Sequence, residues 1–128
     1  MTVEYLHLED LLQLASDLGD LVVRDVGLLE AAAQRPQTTL YGQEAYPDVF
    51  ERAAVLLESL TRNHALIDGN KRLGWLATVV FFDLNGLTID APDDDAYDLV
   101  IAVSTGALDY SAAAILLGRW STGPQETQ

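Results

Sequence analysis

The stretch NKRLGWLATVVFFDL, residues 70–84, constrains the fold most. Its apolar residues are Leu73, Trp75, Leu76, Ala77, Val79, Val80, Phe81, Phe82 and Leu84. At helical spacing they point all round the axis, and a helix apolar on every side belongs in the middle of a bundle. Asn85-Gly86 follows as a stop signal. The N-terminus of such a helix is a fixed set of free amide donors aimed at one spot. The apolar run at 73–82 is interrupted by Gly74 and Thr78 and is too short to span a bilayer.

Other helices surround it in the reading. Residues 8–18 place Leu8, Leu11, Leu12, Ala15 and Leu18 on one face. Residues 26–34 read as a second helix with Asp25 as cap. Pro47 opens a third, to about Arg62, with Val49, Phe50, Ala53, Leu56, Leu57 and Leu60 inward. Pro92 and Asp93, Asp94 and Asp95 start another to about Thr105, where the acids suit a helix N-terminus. A last helix covers 110–120. Residues 37–46, QTTLYGQEAY, break the pattern with β-branched and aromatic residues around Gly42, as a small hairpin or flap would. The expected fold class is all-α, one domain over 1–120, with 121–128 a flexible tail.

Composition bounds the function. Twenty acids face seven bases, a formal net charge of −13. Such a surface repels nucleic acid and anionic lipid, so neither is an expected partner, and a partner with a basic segment suits it better. The absence of cysteine excludes disulfides and thiolate metal sites. The N-terminus MTVEYLHLEDLLQL lacks the basic region of a secretory signal, and a cytoplasmic setting is expected.

Against that acidic background, HALIDGNKRL (64–73) puts two of the few bases, Lys71 and Arg72, at the first turn of the apolar helix. There each opposes the helix dipole, at roughly 0.3–1 kcal/mol. A bound phosphate reverses that, because amides, dipole and side chains then all attract it. Gly69 allows close backbone approach. Asn70 can donate to a phosphate oxygen or cap the turn. Asp68 offers the hard oxygen that Mg²⁺ on a nucleotide needs. His64 can take a proton from an attacking hydroxyl near neutral pH. Each residue also has a plainer role. His64 can be a structural hydrogen-bonder, Asp68-Gly69-Asn70 an ordinary turn, and Lys71 or Arg72 the partner of a surface acid. Their order ahead of a fully apolar helix favours an anion-handling site, and the absence of GxxxxGK[ST] excludes a P-loop.

HALIDGNKR resembles the Fic/Doc signature, roughly HxFx[D/E]GN[G/K]R, and its lysine resembles the Doc branch, where Fic enzymes carry glycine. VRDVGLLEAAAQRPQTTLYGQEAYPDVFERAA and FFDLNG are similar to Doc-type toxins as well, so the resemblance covers about residues 4–120. It implies a compact helical Fic/Doc bundle with the motif between two central helices. It implies a target-docking flap, mapping onto Thr38, Thr39, Leu40 and Tyr41. It makes His64 the general base, Asp68 the Mg²⁺ ligand, Gly69 and Asn70 the phosphate turn, and Lys71 and Arg72 the groups that hold and neutralise phosphates. The implied activity is transfer of phosphate from ATP to a threonine of elongation factor Tu, stopping translation. The implied regulator is a cognate antitoxin whose flexible segment folds onto the toxin. Self-restraining Fic enzymes resemble [S/T]xxxE[G/N]; no glutamate here precedes Gly or Asn, so inhibition is expected from outside the chain.

The chain departs from the pattern in places. Ala65 and Leu66 stand where Pro and Phe are usual, and an apolar Leu66 implies a slightly looser anchor. Leu73 replaces a typical Thr. The second arginine of the Fic pattern is missing, as in Doc-like sequences. The alternatives are a Fic-type AMP transferase and a catalytically weak binding module; intact His64, Asp68, Asn70 and Arg72 argue against the module.

Overall fold

The computed structural model describes residues 2–123. Among these residues there are six α-helices: α1 (Leu8–Asp17), α2 (Val26–Gln34), α3 (Val49–Arg62), α4 (Asn70–Leu84), α5 (Asp93–Thr105) and α6 (Tyr110–Trp120). Two small antiparallel pairs complete it. β1 (Thr39–Leu40) pairs with β2 (Gln43–Glu44), and β3 (Thr88–Ile89) with β4 (Ser121–Thr122). The fold is mainly α with a small β flap, as the residue pattern implies.

Local chemistry sets the helix ends. Asp25 accepts from the Leu28 N–H at 3.2 Å and caps α2. For α3 the cap is Asp48, not Pro47. Its carboxylate accepts from the Phe50 N–H at 2.8 Å, and Glu51 closes a capping box. Pro47 therefore lies outside the helix it was expected to open. At the far end of α5, Gly106 takes φ +84°, the left-handed geometry a helix stop favours.

α3 and α4 form the centre. Leu56, Leu57 and Leu60 of α3 and Leu73, Phe81 and Phe82 of α4 are fully buried, and Phe50 packs on Phe82 with ring centroids 5.7 Å apart. Gly74 brings the two helices together, since a Cβ there would stand 2.8 Å from Thr61 Cγ2. α4 is central but not buried on every side. Leu73, Gly74, Ala77, Thr78, Phe81 and Phe82 face the core, whereas Trp75, Leu76 and Val79 line an open groove. The apolar surplus of the sequence is thus the wall of a groove as well as core.

Ser121 and Thr122, expected to begin a free tail, pair instead with Ile89 and Thr88. Ladder hydrogen bonds hold them, and the Trp120 carbonyl also accepts from the Asp90 N–H at 2.8 Å. The rest of the expected tail, 124–128, lies outside the described residues.

One ionic cluster ties the flap to the bundle. The carboxylate of Glu58, on α3, pairs with Arg35 at 2.8 Å and with Arg62 at 3.4 Å. Burial opposes the charge on Arg35, but hydrogen bonds to Tyr46 and Glu58 outweigh it and hold its pKa above the ordinary value. Arg52, buried on α3, donates to the Tyr46 carbonyl at 2.6 Å and pairs with Glu44 of β2 at 2.7 Å. The flap therefore has a fixed base and an exposed tip.

Candidate active site

The loop from α3 to α4 carries the motif. α3 ends at Arg62 and is capped by Asn63, whose N–H donates to the Ser59 carbonyl. His64 follows at φ +55°, an uncommon backbone for a residue with a side chain. Ala65 and Leu66 then dip into the core at 1% exposure each. Leu66 thus keeps the anchoring position despite replacing a larger ring. Residues 22–25 run alongside the dip. Val23 and Leu66 form a β-bridge, and the Ala65 carbonyl accepts from the Arg24 and Asp25 N–H groups at 2.8 and 3.0 Å.

Beyond the dip the chain turns at Asp68-Gly69. Asp68 Oδ1 accepts from the Gly69 N–H at 2.8 Å, which orients the carboxylate and leaves its second oxygen for other partners. Gly69 sits at φ +88°, and a Cβ there would lie 2.6 Å from Leu21 Cδ1 and 3.2 Å from Arg72 Nη2. The left-handed backbone angle favours glycine, and a Cβ would also displace the ends of the Leu21 and Arg72 side chains. α4 starts immediately after, with its first backbone bond from Leu73 N–H to Gly69 O at 2.9 Å. The N–H groups of Asn70, Lys71 and Arg72 are left at the open end of a helix with no acid in its first turn.

These residues surround one cavity of about 280 Å³, lined by His64, Asp68, Gly69, Asn70, Lys71 and Arg72, with Thr61 and Ile67 completing the wall. The six motif residues singled out in the sequence all meet there. Among the described residues neither Lys71 nor Arg72 forms an ion pair, although the chain carries 20 acids. The surface-pairing role is thereby answered, and the two cations face the cavity and solvent. The other histidine, His7, precedes α1 and borders a different cleft.

The arrangement suits a polyanion. Free amides, a helix dipole and two cations converge on a small polar space, beside one carboxylate and one imidazole. A lone carboxylate fits Mg²⁺ carried on a nucleotide, because that ion takes one or two protein carboxylates plus phosphate oxygens. No cluster of three acidic or histidine ligands exists among the described residues, so a dedicated protein cage for a metal is not what the donors offer.

The profile of the Fic/DOC family matches residues 3–82, which include every motif residue and the flap. This chain belongs to the Fic/Doc family. It is 47% identical over 126 residues to a curated protein of Mycolicibacterium smegmatis named Toxin Doc, an alignment that takes in 95% of this chain and 97% of that one. Among Fic/Doc chains the similarity to a Doc toxin agrees with the lysine at position 71. No helix among the described residues is long and apolar enough to cross a membrane.

Two placements add to the sequence reading. The side-chain amide of Asn70 is committed to Leu66, accepting from its N–H and donating to its carbonyl at 3.0 Å each. Of its two expected roles the side chain fills the turn-closing one, and its contribution to the cavity is the backbone N–H. The flap residues do not line the cavity. Thr39 and Leu40 form an exposed strand, Tyr41 is the fully exposed tip at φ +52°, and Thr38 stands at the base, its hydroxyl donating to the Arg35 carbonyl at 2.7 Å. Thr61 and Ile67 lie in or beside the motif but carry no chemistry that marks them, and Arg24 was not legible because only the fold brings it to the loop.

A second concavity shares the two cations. It is an apolar groove of about 700 Å³ between α4 and α5, with Trp75, Leu76 and Val79 on one side and Tyr97, Val100 and Ile101 on the other. Lys71 and Arg72 line both spaces.

Proposed function

We propose that this protein is a Doc-type toxin that acts as a protein kinase. It transfers the γ-phosphate of ATP to a threonine of a translation factor, elongation factor Tu, and so stops translation. The observation that carries the reading is Lys71, unpaired and lining the cavity where the Fic pattern has a small glycine. A four-carbon stem with a point charge fills space that a glycine would leave for the terminal phosphates. The nucleotide then binds the other way round, with the γ-phosphate beside His64.

In that pose the His64 imidazole accepts the proton of the threonine hydroxyl. The hydroxyl oxygen bonds to the γ-phosphorus as its bond to the bridging oxygen breaks, and ADP leaves. Lys71, Arg72 and the amides of α4 neutralise charge on the transferring group. Asp68 holds Mg²⁺ on the nucleotide, which supplies further neutralisation of phosphate charge when bound. The flap offers the exposed edge of Thr39 and Leu40 to an extended segment of the target.

Control comes from an antitoxin. The apolar groove between α4 and α5 receives its flexible segment, which gains order on docking.

The test is the position of the label. ATP labelled at the γ-phosphorus should mark a protein in whole-cell extract and in purified elongation factor Tu, whereas α-labelled ATP should not. His64→Ala and Asp68→Ala should abolish the signal and relieve growth arrest. Lys71→Gly should weaken it. Incorporation from the α-position by the unaltered protein would make it an AMP transferase of the Fic type instead.

A further inference from the structure

We propose that Arg24 is the positioning residue of the site, setting the direction of the His64 imidazole through the His64 backbone. Its guanidinium donates from both Nε, at 2.9 Å, and Nη2 to one acceptor, the carbonyl oxygen of His64. The two residues are 40 positions apart, so the contact exists only in the fold. Arg24 does not line the phosphate cavity and touches no reacting group there.

Three observations make this contact more than a surface hydrogen bond. His64 sits at φ +55°, a left-handed conformation uncommon for a residue with a Cβ. Next to it, the peptides of 65–67 are already held. The Ala65 carbonyl takes two N–H groups from residues 24 and 25, and the Ile67 N–H donates to the Val22 carbonyl at 3.0 Å. Arg24 takes the carbonyl of His64 with a two-pronged donor. Fixing that carbonyl fixes the peptide plane after His64, and with it the direction in which Cα–Cβ leaves the chain toward the cavity. Without the guanidinium, His64 is free to relax to negative φ and swing its side chain off the cavity. The core is unaffected, because the Arg24 side chain is exposed and its backbone bonds survive truncation.

The inference rests on the phosphotransfer reading for its kinetic part and on the backbone alone for its other part. The test uses the full chain as wild type, Arg24→Ala, Arg24→Lys and His64→Ala. One readout is label transfer from ATP, labelled at either the α- or the γ-phosphorus, to protein in cell extract. The other is the set of backbone chemical shifts at residue 64, which report positive φ, alongside thermal melting. Arg24→Ala should lower kcat at least tenfold and leave KM for ATP within twofold, with little change in melting. Arg24→Lys, which keeps one donor, should recover part of the rate. Residue 64 should lose its left-handed shifts in Arg24→Ala and keep them in wild type. A wild-type kcat in Arg24→Ala, a loss expressed as KM, or unchanged shifts would overturn the proposal. Equal labelling by wild type and His64→Ala would instead sink the phosphotransfer reading, and the shifts alone would then decide the role of Arg24.

Discussion

Asn70 grips Leu66 from both sides: its side-chain oxygen accepts from the Leu66 N–H and its nitrogen donates to the Leu66 carbonyl, each at 3.0 Å. One amide thus supplies the backbone partners that a buried loop residue would otherwise lack. Leu66 is 1% exposed, so water does not replace them. The grip spans the phosphate turn, from the residue before Ile67-Asp68-Gly69 to the first residue of α4. Asn70→Ala should therefore destabilise the protein by about 1–3 kcal/mol, the range for leaving such groups unsatisfied. Asn70→Asp keeps the acceptor and loses the donor, and should fall between. Denaturant unfolding of the three proteins checks the order; equal stability of wild type and Asn70→Ala would show the grip to be idle.

The approach of α3 to α4 depends on Gly74. A Cβ at that position would stand 2.8 Å from Thr61 Cγ2 and 3.2 Å from Leu57 Cδ1. Alanine gains roughly 1 kcal/mol of helix propensity there but overpacks the interface by about 1–3 kcal/mol. Gly74→Ala should lower the melting temperature. Thr61→Ser removes the clashing methyl and keeps the hydroxyl that donates to the Leu57 carbonyl at 2.9 Å. In the Thr61→Ser background, adding Gly74→Ala should cost little or stabilise. Additive losses in the double variant would place the crowding elsewhere.

The flap offers a separable function. Thr39 pairs with Glu44 and Leu40 with Gln43, and both β1 residues are exposed. Proline at Thr39 or Leu40 removes a backbone donor and disturbs the hairpin, while the cavity residues lie on another loop. Both variants should bind ATP as wild type in calorimetry yet fail to label protein in cell extract. Undiminished labelling by both would mean the target docks elsewhere.

A pH effect on stability should come from Asp109, the cap of α6. Hydrogen bonds from the Ala112 N–H at 3.0 Å and the Ser111 hydroxyl at 2.9 Å hold its carboxyl below the ordinary carboxylate range. A lowered pKa means the charged form is favoured in the folded state. Its stabilisation is therefore complete above the unfolded pKa and fades as pH falls through the folded one. Asp109→Asn keeps the cap geometry without the charge. Its melting temperature should lie below wild type at neutral pH, and the gap should narrow in acid. A gap independent of pH would rule out the charge as its source.

The sequence by itself determined the helices and the membership of the cavity. Residues 26–34, 70–84 and 110–120 carry their periodicity and end signals within the segment, so α2, α4 and α6 form where the pattern places them. His64, Asp68, Gly69, Asn70, Lys71 and Arg72 are close enough in sequence that one turn gathers them round the cavity. Contacts between distant segments were a different matter. The β3–β4 pair joins Thr88 to Thr122, two residues each, too short for any alternation to register. Which side of α4 would meet the core and which the groove depended on where α5 came to rest. The partner of the His64 carbonyl is a side chain 40 residues earlier, and nothing local to Arg24 marks it, because a guanidinium finds its acceptor only after both loops are packed.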